Sequence, residues 1–180
     1  MKKICIILLS LVLSGCSGGS NLGKEIPYEN IEAQDSYEAI IYFRNCNIAH
    51  NFNSSRIPIY KNGIIKFSDD YKWNGKLKNL LFAKLAAVGS RSKLKFTQLP
   101  NFNFVDIFIE QIFFDCDAKK MVINCTVNFN GRVVSFYITE HVETVKNYNV
   151  LLNRAAIVII DFVKSNKNVL RIEKLETPCI

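Results

Sequence analysis

Few residues in this chain have the types and spacing that catalysis or metal binding requires. Cys46 and His50 form a C-x3-H pair, which supplies two of the four ligands that a structural zinc ion needs, and no second pair stands at a suitable spacing. Cys125 with His141 could form a nucleophile and base, but Cys125 falls on the apolar side of an alternating segment, where a thiol is inert. No phosphate-binding loop, nucleophile elbow or dinucleotide fingerprint is present. We therefore expect no catalytic residues, no metal site, no cofactor and no enzymatic activity.

Cys16 is the cysteine with a clear chemical context. Lys2 and Lys3 precede a nine-residue apolar run at 4–12, which is too short to span a membrane and is typical of an export signal. The run leads into Leu-Ser-Gly-Cys at 13–16, which resembles the lipobox of bacterial lipoproteins. We predict that residues 1–15 are a signal peptide and that Cys16 carries acyl chains such as palmitate. The alternative is an ordinary signal peptide in which Cys16 is incidental.

The signal also predicts where the mature chain resides. Residues 16–35 are interpreted as the lipidated cysteine and a flexible tether, and residues 36–180 as a single periplasmic α+β domain. Ser17 stands where an aspartate commonly marks retention at the inner membrane. We therefore expect a lipid-anchored protein of the cell envelope, at the outer membrane and facing the periplasm.

Charge and cysteine content limit the partners. Without Lys2 and Lys3, the 23 basic residues fall to 21 against 16 acidic ones, a side-chain charge of +5. In an exported protein this excess suits lipid headgroups, an acidic partner or simple solubility, and nucleic acid is not expected. The mature body keeps four further cysteines: Cys46, Cys116, Cys125 and Cys179. Their pairing is left open, although a disulfide between Cys116 and Cys125 is not expected.

Hydrophobic periodicity predicts an α+β fold with a mostly antiparallel sheet and two amphipathic helices packed on one face. The predicted strands are 36–43, 56–60, 64–67, 93–97, 104–116, 121–129, 132–139 and an edge strand at 169–175. The predicted helices are about 73–88, with caps at 68–70 and a stop at Gly89, and 148–164. The asparagine-rich stretch 45–55 is predicted to be a loop, and Pro58 places its strand at an edge or in an irregular position.

The order of these segments resembles the ABC-type transport auxiliary lipoprotein family. The resemblance is carried by the lipobox, by Arg-Ile-Pro-Ile-Tyr at 56–60, and by a Tyr71-Lys-Trp73 step that opens the first helix. It covers most of residues 36–165. Tyr71 and Trp73 stand closer together here than the family pattern usually has them.

The resemblance implies an accessory lipoprotein of an ABC/MCE-type lipid transport system, which docks the periplasmic complex at the outer membrane. Its implied partners are an MCE-domain protein and an ABC transporter, besides membrane lipid through Cys16, and self-association into a homo-oligomer is left open. Partner or lipid contact falls on Arg56, Tyr60, Tyr71 and Trp73. The alternative is an outer-membrane lipoprotein that aids assembly of another envelope machine, for secretion or lipopolysaccharide export.

Overall fold

The structure, a computed structural model, describes residues 37–166 and residue 168. Cys16, Cys179 and the predicted strand at 169–175 lie outside the described residues. The described part contains seven strands and two α-helices, which confirms the α+β class. In chain order they are β1 (Ala39–Ile48), β2 (Arg56–Lys61), β3 (Ile64–Lys72), α1 (Leu77–Arg91), β4 (Leu94–Thr97), β5 (Phe104–Asp115), β6 (Lys120–Phe129), β7 (Arg132–His141) and α2 (Tyr148–Ser165).

The long strand β5 organises the sheet. β6 runs along one side of β5, and β7 lies beyond β6. The other side of β5 is shared by two strands placed end to end. β1 pairs with the first half of β5, and Ile59 and Tyr60 of β2 pair with its last residues, Phe114 and Asp115. β4 then flanks β1, and β3 flanks β2.

The prediction of a mostly antiparallel sheet is wrong, because the sheet is mixed. β1 runs parallel to β4 and to β5, and β2 runs parallel to β5. The hairpin pairs β2–β3, β5–β6 and β6–β7 are antiparallel. Turn residues reveal such hairpins in a sequence, whereas the parallel partners of β1 are separated from it by a hairpin and a helix. No local signal therefore marks them.

Two asparagine–glycine turns close the β2–β3 and β6–β7 hairpins, as predicted. Asn62 and Gly63 have φ angles of 51° and 79°, and Asn130 and Gly131 have φ angles of 50° and 91°. Positive φ at both central residues matches the right-handed twist of the strands and fixes a two-residue connection. The flanking residues Lys61 and Ile64 pair directly across the first turn.

Both helices cover the same face of the sheet. α1 lies over β1 and β4, α2 lies over β6 and β7, and the two helices contact each other. The apolar alternation predicted for β6 is confirmed, since its odd-numbered residues point into this core and are fully buried. The largest fully buried side chains are Phe129, Ile41, Ile57, Leu81, Leu85, Leu94, Ile107, Ile109, Ile112, Met121, Ile123 and Leu151.

The polar segments on either side of the β2–β3 hairpin contain more regular secondary structure than the sequence predicts. Stretch 45–55 was predicted to be a loop, but β1 continues to Ile48 and a 3₁₀ turn, His50–Phe52, follows. Phe52 anchors that turn in the core. Ser68 was predicted as a helix cap but lies in β3, where its hydroxyl accepts the backbone N–H groups of Asp70 and Tyr71. The predicted caps are therefore wrong.

Gly89 does not stop the first helix as predicted. α1 continues to Arg91, and the positive φ of 57° that ends it belongs to Lys93. Gly89 instead lies where the helix meets β4. An added Cβ would come within 2.7 Å of Phe96 Cδ2 and 2.9 Å of the Leu94 carbonyl oxygen. The glycine therefore permits a close approach rather than a turn.

Candidate functional site

A groove of about 880 Å³ opens where three segments meet: the end of β1, the chain that leads into β2, and the start of α1. We call it the Trp73 groove. Apolar, amide, hydroxyl and ammonium groups all contribute to its wall, which suits an amphipathic ligand or a partner segment. Its lining residues are Cys46, Asn47, Ile48, Asn53, Ser54, Ser55, Trp73, Gly75, Lys76, Leu77 and Lys78.

Backbone bonds and one aromatic contact hold the groove together. The Trp73 N–H donates to the Ser55 carbonyl oxygen at 2.9 Å, which ties the helix approach to the chain before β2. The Asn74 N–H donates to the Tyr148 hydroxyl at 3.0 Å. Gly75 has a φ angle of 118°, a conformation open to glycine, and turns the chain into α1. α2 therefore supports the groove from behind through Tyr148.

Trp73 is mainly a core residue that also lines the groove. Its side chain is 6% exposed, and its ring meets the Tyr148 ring edge-on with 5.2 Å between centroids. Its Nε1–H is buried and has no hydrogen-bond partner within the described chain. A buried donor without a partner is costly. Trp73 therefore contributes an unsatisfied hydrogen-bond donor to this part of the fold.

Positive charge gathers at the start of α1. Lys76 and Lys78 are exposed there, the first turn has no acidic residue, and no side chain caps the helix. The helix dipole adds positive potential at the same end. Burial raises the pKa of the nearby Cys46 thiol to about 11, and Lys78 opposes this to a smaller extent. The groove therefore favours anionic groups, and its thiol stays protonated and unreactive.

The structure brings some of the predicted contact residues together and separates another. Arg56 pairs in register with Lys72 and makes an exposed ion pair with Asp69 at 2.7 Å, at the hairpin end beside the groove. Tyr71 is half-buried next to it. Tyr60 lies towards the hairpin tip, where its ring contacts Phe113 at 5.8 Å between centroids. Of the four predicted residues, Trp73 lines the groove.

The cysteine and histidine pairs considered from the sequence do not assemble into sites. Cys125 lies opposite Phe136, five residues along β7 from His141, or about 17 Å at the rise of a strand. Burial raises the pKa of the Cys125 thiol to about 12. Within residues 37–166, Cys46, Cys116 and Cys125 are free thiols. No group of three or more metal-binding side chains occurs in that same part of the chain.

Sequence reasoning missed most of the groove. Its polar wall comes from the segment 53–55, which was interpreted as a plain loop. Its charge comes from Lys76 and Lys78, which the sequence places with Trp73 around the first helix. Two interpretations of that segment were open, a lipid-facing or partner-facing surface and core aromatics beside solvated lysines. That Cys46 and Ser55 flank the same opening depends on the 3₁₀ turn, which periodicity does not reveal.

The sheet face opposite the helices carries a polar network. The Asp106 carboxylate accepts both Nε and Nη2 of Arg44, at 2.8 and 2.5 Å, and Asn45 and Asn128 donate to the same group. The Arg44 guanidinium also lies over the Phe104 ring, 3.6 Å from its centroid. This network fixes β1 against β5 beside the bulge at residues 43–45.

Among the residues described, no helix is long and apolar enough to cross a membrane.

Comparisons with known proteins identify a shared fold without a family. No family model and no curated protein matches the sequence. The solved structures include an uncharacterised protein (TM-score 0.55, 10% identity, covering 71% of this chain and 91% of that one). They also include a Xanthomonas campestris protein of family DUF330 (TM-score 0.57, 10% identity, covering 74% and 87%). At this identity the similarity extends to the fold alone. A minor lipoprotein from Acinetobacter baumannii aligns with a TM-score of 0.30 at 8% identity, covering 73% and 95%.

Proposed function

We propose that this chain is a membrane-anchored accessory lipoprotein of an ABC/MCE-type lipid transport system. In this role it docks the periplasmic complex at the outer membrane and performs no catalysis. The observation that carries the anchored role is the lipobox-like sequence at 13–16, because a cysteine in that context becomes the attachment point of the whole chain. The transport system itself is what the resemblance to the auxiliary lipoproteins implies. Several acyl chains on one residue hold a protein stably, whereas a single chain binds only reversibly.

The Trp73 groove supports a role in docking or lipid contact. Its apolar wall includes Ile48 and Trp73, and its rim carries Lys76 and Lys78. That combination matches an amphipathic partner with an apolar part and an anionic part. Arg56 lies at the neighbouring end of the hairpin, so we place the contact region there rather than at Tyr60.

Co-purification from native membranes tests the proposal. The full chain with a carboxy-terminal affinity tag is extracted in mild detergent, and bound proteins are identified by mass spectrometry. We expect an MCE-domain protein and transporter subunits. Recovery of a secretion or lipopolysaccharide-export component in their place would favour the alternative role, and repeated recovery of neither would overturn both.

Two controls separate the anchor from the docking surface. Cys16→Ala should abolish incorporation of labelled palmitate and release the chain from the membrane fraction. Lys78→Glu reverses a charge at the groove, and Lys95→Glu reverses an exposed charge on β4 away from it. Lys78→Glu should reduce partner recovery several-fold and Lys95→Glu should not. Equal effects of the two lysine variants would argue against the groove.

A further inference from the structure

Within residues 37–166, no strand pairs with the outer edge of β7. In the described part of the chain β7 pairs with β6 only, over ten residues in unbroken register. Residues 133–139 contain no charge and no proline, and most are β-branched or aromatic. Edge strands in soluble proteins are normally protected by charges, prolines or bulges, because their free backbone groups template further pairing. β7 lacks these protections along its centre.

The backbone of β7 is ready to accept another strand. The two-residue turn closes on the pair Phe129–Arg132, so even-numbered residues of β7 bond to β6. The odd-numbered residues 133–139 therefore direct their N–H and C=O groups to the open edge. On the helix side, the strip next to this edge is apolar and only partly buried: Val134, Phe136, Val158 and Phe162.

We propose that β7 pairs antiparallel with β7 of a second copy of this chain, with the two-fold axis at Phe136. Ser135 then lies opposite Tyr137 of the partner subunit, and Val133 opposite Thr139 of the partner subunit. All four are odd-numbered, so both pairs are hydrogen-bonded and use the open backbone groups. The two sheets become one continuous sheet, with each Phe136 facing its symmetry mate.

Charge complementarity selects this register. Pairing about Phe136 places Arg132 opposite Glu140 of the partner subunit, once at each end of the interface. The Glu140 carboxylate already lies 3.5 Å from Arg154 of its own chain, and its second oxygen can accept Arg132. Arg132 is positioned by the bond from its Nη1 to Asn166 Oδ1 at 3.0 Å. A two-residue slip would leave both charges facing uncharged residues.

The helices fit the same arrangement. α2 lies over β6 and β7, so its axis is about one strand spacing from the two-fold axis, or about 4.8 Å. The two copies of α2 would then run about 10 Å apart, which is within the range of packed helices. The stripe Val150, Arg154, Val158 and Phe162 follows β7, since Arg154 contacts Glu140 and Phe162 contacts Phe136. Val150 is 48% exposed and would be covered by the partner.

Site-directed cross-linking of the full chain in host membranes tests the pairing. Phe136→Cys places two thiols at the two-fold axis, and Val133→Cys combined with Thr139→Cys places them on opposite strands at exposed positions. Directly opposed strand residues lie within disulfide range. We expect both variants to form disulfide dimers on oxidation. Val133→Cys alone should not, because its two copies would be six residues, about 20 Å, apart. The unsubstituted chain reports the background from native cysteines.

The outcomes that would overturn the proposal are distinct. No dimer from either cysteine design, or equal dimer from Val133→Cys alone, would exclude this register. Cross-linking of Phe136→Cys to a different protein would assign the edge to another partner. A dimer that forms only after removal of residues 169–180 would show that the chain's own end covers β7. We expect removal of residues 169–180 to leave dimer formation unchanged.

Proline provides an independent test without cysteines. The Ser135 N–H faces the open edge, so Ser135→Pro removes no backbone bond to β6 and is tolerated in a monomer. It does remove the hydroxyl contact with Thr126 Oγ1 of β6, at 2.8 Å. Ser135→Pro also removes a bond across the two-fold axis and should reduce chemical cross-linking of the native dimer several-fold. Ser135→Ala keeps the N–H and also lacks the hydroxyl that contacts Thr126, so it is the matched control. This test measures self-association alone, so its result is independent of whether an MCE-domain partner is recovered.

Discussion

Replacing Gly89 by alanine tests the contact between α1 and β4. In an isolated helix this change stabilises by about 1 kcal/mol, because glycine has the higher conformational entropy. In this fold the added Cβ would lie 2.7 Å from Phe96 Cδ2 and 2.9 Å from the Leu94 carbonyl oxygen. Phe96 is 6% exposed and Leu94 1%, so neither can move aside freely.

The clash should outweigh the gain in helix propensity. Overpacking a dense core costs about 1–3 kcal/mol, and the upper part of that range applies because one of the two contacts is with backbone. Subtracting about 1 kcal/mol for helix propensity leaves a net loss of about 1–2 kcal/mol. For a protein of this size that corresponds to a fall in melting temperature of about 2–8 °C.

Thermal unfolding followed by circular dichroism measures the change. Ser90→Ala is the matched control, since Ser90 is the next residue of the same helix and is exposed. Its stability should change by no more than about 0.5 kcal/mol. In a Phe96→Leu background the loss caused by Gly89→Ala should be smaller than in the parent, because the smaller side chain leaves room for the added Cβ. A Gly89→Ala protein as stable as the parent would refute the close approach of α1 to β4.

Three further predictions concern single groups. Tyr148→Phe removes the acceptor of the Asn74 N–H, which should lower the free energy of unfolding in urea by about 1–2 kcal/mol; an unchanged value would contradict that bond. Asp106→Asn weakens the two bonds from Arg44 and should lower the midpoint of unfolding in the same assay, whereas an unchanged midpoint would show that these exposed bonds are energetically neutral. Cys125, whose pKa burial raises to about 12, should resist iodoacetamide at pH 8 until urea unfolds the protein, as mass spectrometry can show. Because this pKa lies above the ordinary value of 9.0, the folded protein keeps the Cys125 proton at pH values where the unfolded chain loses it. The contribution of this thiol to the free energy of unfolding is therefore fully present below about pH 9 and is lost as pH rises towards 12. Cys125→Ala should show a shallower decline of that free energy with pH.

Local signals predicted the elements that depend on local physics. The alternation along β6 follows from burial of one face, and the two asparagine–glycine turns follow from their positive φ angles. The parallel pairing of β1 depends on partners far along the chain, so the mixed sheet could not be predicted in the same way. Ser68 shows the limit at short range, because a hydroxyl that accepts backbone N–H groups can serve a strand as well as a helix start.

The groove as a whole was not predicted. A contact role for Trp73 was implied by the family resemblance and stays a prediction, and Trp73 lies in the wall of the groove. The groove itself needs three segments, at 46–48, 53–55 and 73–78, that meet only when β1 and β2 lie end to end along β5. Composition and periodicity predict the structure of each segment separately, and they do not predict that the three segments contact one another.

The position of β1 has a mechanical consequence. β1 lies between β4 and β5 and runs parallel to both, and its amino-terminal end is the one nearest in sequence to Cys16. A pull directed along β1 would load the hydrogen bonds to both neighbours together, in shear. A strand at the end of a hairpin would instead open one bond at a time. A membrane tether that pulled on this end along β1 would therefore act on a strand that is hydrogen-bonded on both sides and resists being extended.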